Sequence, residues 1–257
     1  MQIYVCVKHV PDTAATIKVA GEAGYNDTTC KFIINPYDEY AIEEAVQLIE
    51  KEKKGEVVVV TIGPAAASAT IRSALSMGAA RGILVKADGQ FIDSITTAMA
   101  LKAAIEKDGK ADLIFGGKGA VDSEGFQTLY RLAGVMGLPV MNEVVKLSVE
   151  GLKAVMEREV GGGCREVIEM QLPGVIGATK GLNEPRYPKF PDIMKAKKKE
   201  IKEISIDELG LSAIYEKAEI VKLEAVPERS GAAILTGPLT DQVNELVKIL
   251  KETEKVL

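Results

Sequence analysis

Along the first half of the chain, short apolar runs alternate with stretches in which apolar residues recur every three or four positions. Ile3 to Val7 is apolar almost throughout and reads as a strand buried on both faces. Glu56-Val57-Val58-Val59-Val60-Thr61-Ile62 is a second such run, built from β-branched side chains that suit a pleated surface. Gly82 to Val85 and Asp112 to Phe115 repeat the pattern. The intervening stretches have helical period. Pro36 to Lys51 supplies Tyr40, Ala45, Val46, Leu48 and Ile49, with Ile42 partly, to one side. Its Asp38, Glu39, Glu43 and Glu44 gather in the early turns, where negative charge meets the positive end of a helix. Pro64 opens an alanine-rich helix ending near Gly78, Asp93 to Lys107 forms the next, and Ser123 to Met136 another, stopped by Gly137. Strands apolar on both faces and separated by helices predict an α/β fold. Its sheet is mainly parallel, with helices on both faces in a Rossmann-like arrangement.

From Val144 to about Lys180 the period changes to two. Lys146 to Val160 alternates around a Glu150-Gly151 turn, and Gly161-Gly162-Gly163 turns the chain into Val167 to Leu172, which predicts an antiparallel extension of the sheet. Beyond Asn183 the chain is charged and irregular, with no clean period from Ile204 to Arg229 and a final helix over Asp241 to Lys255. The expected organisation is an α/β domain over residues 1–202 and a C-terminal arm over 203–257. The arm has few core positions and either packs on another chain or hangs loose.

Composition narrows the function. The fractions of hydrophobic (47%) and charged (27%) residues are those of an ordinary globular protein, so an ordered core is expected. No run approaches the roughly 20 apolar residues of a membrane span, and the N-terminus lacks the order of a signal peptide, so the expected location is the cytoplasm without direct membrane insertion. Cys6, Cys30 and Cys164 have no metal-site or disulfide spacing, and with a single histidine, His9, a His-based metal centre or Ser–His hydrolase has little to work with. A net charge of −5 argues against nucleic-acid partners.

The candidate chemistry lies in the turns. Thr61-Ile62-Gly63-Pro64 and Gly116-Gly117-Lys118-Gly119-Ala120-Val121-Asp122-Ser123 both follow parallel strands, at the sheet end where loops and positive helix ends converge on ligands. Glycines there let backbone approach a phosphate, Lys118 can add charge, and free amides opening the Ser123 helix would face the same anion. Neither turn matches a triphosphate cradle or a dinucleotide fingerprint, and a tight turn without ligand explains them equally well. Asn35 and Pro36 fit as helix cap and first helical residue. The backbone of Cys6 or Ile62 can pair with an adenine edge, as any strand end can. Between Gly181 and Lys199, three prolines (Pro185, Pro188, Pro191) hold the chain extended, and Tyr187, Phe190, Ile193 and Met194 precede or adjoin Lys195, Lys197, Lys198 and Lys199. This is either an apolar tip beside a cationic run, suited to a partner with an acidic rim, or a solvated basic face with Phe190 turned inward.

Taken in order, Asn35-Pro36-Tyr37-Asp38-Glu39-Tyr40 through Ala45, the Gly63-Pro64 turn, Ala74 through Ala79, Gly117 through Asp122, and Leu182-Asn183-Glu184-Pro185-Arg186-Tyr187 running into Ile193 through Lys199 resemble the electron transfer flavoprotein β subunits over nearly the whole chain. The resemblance implies an adenine-nucleotide-binding α/β subunit, not an enzyme by itself, whose C-terminal arm embraces an α subunit. One redox-active FAD lies mainly in α near the interface, and AMP has a structural role in β. Electrons pass from acyl-CoA or similar dehydrogenases towards a membrane quinone-linked oxidoreductase. By matched position the nucleotide site comprises Cys6, Asn35, Pro36, Tyr37, Asp38, Ile62, Gly63, Gly117, Lys118, Gly119, Ala120, Val121, Asp122, Ser123, Gln127 and Thr128. Tyr37 faces the flavin, and Glu159 faces the mobile flavin domain. The docking loop, residues 180–199, uses Tyr187, Phe190, Ile193, Met194, Lys195 and Lys198. Three departures stand out. Phe190 replaces a familiar leucine anchor, Gly119 replaces a glutamine, and Thr13 in Val10-Pro11-Asp12-Thr13 replaces a bulky aromatic. The last is similar to electron-bifurcating members that hold a second FAD in β; the Tyr37-Asp38-Glu39 run is similar to the ordinary type, and AMP is the expected occupant. The alternative of another class is a stand-alone ATP-binding or adenylating α/β protein.

Overall fold

The computed structural model describes residues 1–28, 30–211, 218–227 and 231–257. Parts of the expected arm, residues 212–217 and 228–230, lie outside the described residues. The chain divides into two compact units, Met1–Leu223 and Glu224–Leu257.

The first unit is built on a nine-stranded sheet. Its strands in chain order are β1 (Gln2–Cys6), β2 (Glu56–Gly63), β3 (Arg81–Lys86), β4 (Leu113–Gly117), β5 (Val140–Glu150), β6 (Lys153–Gly161), β7 (Cys164–Gln171), β8 (Val175–Ala178) and β9 (Ile201–Ser205). Across the sheet they run β7-β6-β5-β8-β4-β1-β2-β3-β9. All neighbours from β5 to β9 in that order pair in parallel, while β5-β6-β7 form an antiparallel meander. Helices α1 (Pro36–Glu52) and α2 (Ser68–Ser76) cover one face with the short α5 (Phe190–Ala196); α3 (Ser94–Asp108) and α4 (Thr128–Met136) cover the other. The doubly apolar strands explain this layering: along β1, Ile3 and Val5 enter one core, Tyr4 and Cys6 the opposite one.

The expected α/β class is therefore the observed one, with local corrections. The antiparallel extension stops at Gln171. Val175–Ala178, expected to belong to it, instead inserts in parallel between β5 and β4, because its four residues are buried on both faces as interior strands require. The helix expected from Ser123 begins at Thr128, and residues 121–127 form a turn and loop with Glu124 and Phe126 at positive φ. Pro64 is extended, and a single 3₁₀ turn, Ala65–Ala67, precedes α2. Beyond the basic stretch, Ile201–Ser205 pairs with β3 as an edge strand and buries Ile204, so the sheet spans the boundary expected at residue 202. In the second unit, α6 (Leu239–Lys248) has no buried residue.

Candidate functional site

From β1 the chain moves through α1 to β2 on one side, whereas from β4 it moves through α4 towards β5 on the other. The crevice outside the carboxyl ends of β1 and β4 is therefore the switch point of the sheet, where loops diverge and leave room for a ligand. Cys6 ends β1, Gly117 ends β4, and Ile62 and Gly63 end β2 one strand over.

The first turn of α1 supports this crevice. Asn35 precedes the helix but does not cap it with its side chain, contrary to the expectation from residue type. Its Nδ2 donates to the Gly119 carbonyl (2.9 Å) and to Asp38 Oδ1 (2.9 Å), and its Oδ1 accepts from the Val121 amide at 3.1 Å. Asp38 is buried. Its Oδ1 also accepts from the Gly117 amide at 2.8 Å, and its Oδ2 accepts from the Lys8 amide at 2.7 Å. Burial pushes its carboxyl up to about 7, with the three N–H donors acting against that rise. These two side chains link the continuation of β1 to the loop after β4. Gly117 is required there: an added Cβ would come within 2.5 Å of both Asp38 Oδ1 and Tyr37 Cβ.

Two further residues, not singled out from sequence, complete the brace. Lys8 Nζ pairs with Asp122 Oδ2 at 2.7 Å. Asn142, buried at a bulge of β5, donates from Nδ2 to the Lys118 carbonyl at 3.0 Å. A lysine after a strand and an asparagine within one carry no sequence signal for such contacts. Lys118 itself is engaged by the protein: its Nζ lies 3.4 Å from Glu143 Oε1, 5.2 Å from the centre of the Tyr37 ring and 5.7 Å from that of Phe126. Burial, then the charge of Asp38, pushes the Cys6 thiol up to about 12, so Cys6 is a neutral wall of the site.

With these partners assigned, the amides of Gly119, Ala120 and Asp122 donate to no protein group among the described residues. The two nearby helix starts differ. Asp93 caps α3, accepting from the Ile95 and Thr96 amides at 2.8 Å each. No side chain caps α4; Gln127 instead accepts from Arg131 at 2.6 Å through Oε1, leaving the first amides, from Thr128 on, without a side-chain acceptor. Open loop amides and an uncapped helix start are the donor set that an anion uses.

The other sequence-selected residues lie elsewhere. Glu159 is exposed near the end of the β6–β7 hairpin and pairs with Arg165 at 3.1 Å. Of the two readings of the 181–199 segment, the structure has the apolar tip facing outward: Tyr187 is 93% and Phe190 75% exposed, with Ile193 and Met194 also exposed. Lys195 and Lys198 are exposed beside them. Lys199 is not part of a solvated cationic run. Its Nζ donates to the Leu75 carbonyl at 2.9 Å and to that of Ala79, and burial holds its pKa below the usual lysine value.

A mainly parallel sheet with helices on both faces and a switch point between β1 and β4 places the protein in the Rossmann-like α/β class. The profile of the electron transfer flavoprotein domain matches residues 24–209. Over its whole length the chain is 40% identical to the electron transfer flavoprotein subunit beta of Bradyrhizobium diazoefficiens and 37% identical to that of Bacillus subtilis, each covered completely. The human protein of the same name is 37% identical, with 99% of it covered. The chain belongs to the electron transfer flavoprotein family, among its β subunits. Among the described residues no helix is long and apolar enough to cross a membrane, and no three or more His, Cys, Asp or Glu side chains gather as they would to hold a metal ion.

Proposed function

We propose that this chain works as the β half of a heterodimer with an electron transfer flavoprotein α subunit. The heterodimer carries electrons from an acyl-CoA or related dehydrogenase to a membrane quinone-linked oxidoreductase, and the crevice of this chain holds AMP. The observation that carries the proposal is the set of open amides at Gly119, Ala120 and Asp122 beside the uncapped start of α4, on a loop whose pose Asn35 and Asp38 set. That set suits one phosphate. Gly117 to Ser123, Gln127 and Thr128 would hold it, and the strand ends at Cys6 and Ile62 would meet the base. No triphosphate cradle is present in the sequence, which disfavours the ATP-hydrolysing or adenylating alternative.

FAD, held mainly by the α subunit, supplies the redox chemistry when bound. This chain contributes no nucleophile or general base: Cys6 stays a thiol, Lys8 and Lys118 are paired with Asp122 and Glu143, and Asp38 is taken up by the Lys8 and Gly117 amides and Asn35. Its residues orient and exclude. Tyr37, placed against Lys118, walls the crevice, and Glu159 offers a carboxylate towards the moving flavin domain. Tyr187, Phe190, Ile193 and Met194 present the docking tip, flanked by Lys195 and Lys198. The arm, including α6, packs on α.

Denaturing the purified heterodimer and quantifying released nucleotides tests the assignment. One FAD with one AMP per complex is expected. Two FAD would replace this reading by the bifurcating type, and absence of any adenine nucleotide beyond one FAD would remove the crevice assignment.

A further inference from the structure

Helix α1 carries two loops. Its first turn holds the crevice loop through Asn35 and Asp38. Its later turns hold the segment that leads into the exposed apolar tip. Asn183 donates from Nδ2 to the Tyr40 carbonyl (3.0 Å) and to Glu44 Oε2 (2.9 Å). Arg186 lies between Glu43 and Glu50, two turns apart on the same helix. Its Nε meets Glu43 Oε2 at 2.8 Å and its Nη1 meets Glu50 Oε1 at 2.7 Å. Its Nη2 reaches both carboxylates, at 3.1 and 3.0 Å, and its backbone amide also donates to Glu43, at 3.1 Å. The Glu43 side chain is only 4% exposed, so this is an anchored carboxylate and not a loose surface pair. A guanidinium shared by two carboxylates, with two N–H bonds to each, fixes both the position and the plane of the side chain, which a lysine cannot do.

The tip begins at the next residue. Tyr187 is 93% exposed and Phe190 75%, so no apolar packing of their own holds these side chains in place. The far end of the segment is tied to α2, where Arg72 donates to the carbonyls of Ala196 (2.8 Å) and Lys199. A tip clamped at both ends is already ordered before a partner arrives; a loose one would lose backbone freedom at every encounter and so dock more weakly.

We infer that Arg186 is a positioning residue for electron delivery: by bridging Glu43 and Glu50 it holds the Tyr187–Met194 tip in its docking pose on the helix that also carries the nucleotide loop. This rests on the docking reading above and adds which residue sets the pose. The guanidinium touches neither the crevice nor the exposed apolar side chains, so its effect on turnover is indirect.

The test uses the assembled heterodimer, with a purified acyl-CoA dehydrogenase reduced by its acyl-CoA as electron donor. Arg186→Ala, Arg186→Lys, Phe190→Ala and the double variant Arg186→Ala/Phe190→Ala are compared for KM of the dehydrogenase, kcat, flavin content and thermal midpoint. Arg186→Ala is expected to raise KM about tenfold with kcat and flavin content unchanged, and Arg186→Lys to restore little of it. Added to Phe190→Ala it should raise KM by less than twofold more, because the residue works only through the tip. If Phe190→Ala raises KM and Arg186→Ala does not, or if the two effects multiply, the inference is overturned while the docking reading stands. If Phe190→Ala leaves KM unchanged, the docking reading falls and the inference with it. Should Arg186→Ala fail to assemble, Glu50→Gln, at the exposed end of the clamp, substitutes for it: a severalfold rise in KM supports the inference and an unchanged KM overturns it.

Discussion

Asp38 shows what one side chain does at the crevice. Its two oxygens accept from the Lys8 amide, the Gly117 amide and Asn35 Nδ2, three donors from three stretches of chain. An unsatisfied buried donor costs about 1–3 kcal/mol. Asp38→Ala should therefore destabilise the protein by about 3 kcal/mol or more, which for a chain of this size lowers the thermal midpoint by roughly 6–12 °C. Asp38→Asn keeps one acceptor oxygen and should lose less. Thermal unfolding of both variants checks the order; an Asp38→Ala midpoint within about 2 °C of the unmodified protein would contradict the assigned role. From sequence, Asp38 and Asn35 read as first-turn acid and helix cap, a reading based on local helix physics. Both assignments of position hold, but the side chains act over sequence separations of 79 and 84 residues. Nothing local encodes that, because Gly117 and Gly119 meet Asp38 and Asn35 only when β4 lies beside β1.

At the scale of elements, α1 is the member whose acidic residues were most misleading. Asp38 sits in the first turn, where the helix dipole favours negative charge, and Glu43 and Glu44 lie beyond it, yet all three are buried and bound to groups from elsewhere in the fold. The Glu43 environment has a measurable consequence. Burial pulls its carboxyl upward, but the bonds from Arg186, Gln47 and the Arg186 amide outweigh burial and leave it below the usual glutamate value. Glu50 is likewise held low, chiefly by Arg186. A carboxyl with a depressed folded-state pKa contributes stability above its unfolded value of about 4.3 and loses that contribution as pH falls through the folded value. The clamp should accordingly open below about pH 4. Hydrogen exchange of amides 183–190, corrected for intrinsic rates, should accelerate between pH 6 and pH 3.5. Glu43→Gln should already exchange fast at pH 6. Equal protection in the variant and the unmodified protein would disprove the coupling.

For the whole molecule, the second unit is where the isolated chain is least self-sufficient. Leu239, Val243, Leu246 and Val247 recur along α6 at helical spacing and are all exposed. If this stripe packs on the α subunit, as proposed, then Val243→Asp together with Leu246→Asp should reduce the recovered heterodimer at least tenfold in co-purification. The unit Met1–Leu223 should stay folded by circular dichroism, since its two cores contain none of these side chains. Full recovery of heterodimer would remove the arm from the interface.

The alternation of apolar runs and amphipathic stretches was enough for the layered α/β class, the helix over Pro36 to Lys51 and the meander around Gly151, because each depends on periodicities of two or 3.6 that neighbouring residues express. The same local logic located the glycine turn after Phe115. It could not show that Val175–Ala178 would slip in beside β4, that the helix after that turn would wait until Thr128, or that Arg186 would be held by Glu43 and Glu50. These outcomes depend on which strands become neighbours and on which polar groups then lie within hydrogen-bonding distance, relations that exist only once stretches distant in the sequence share one surface.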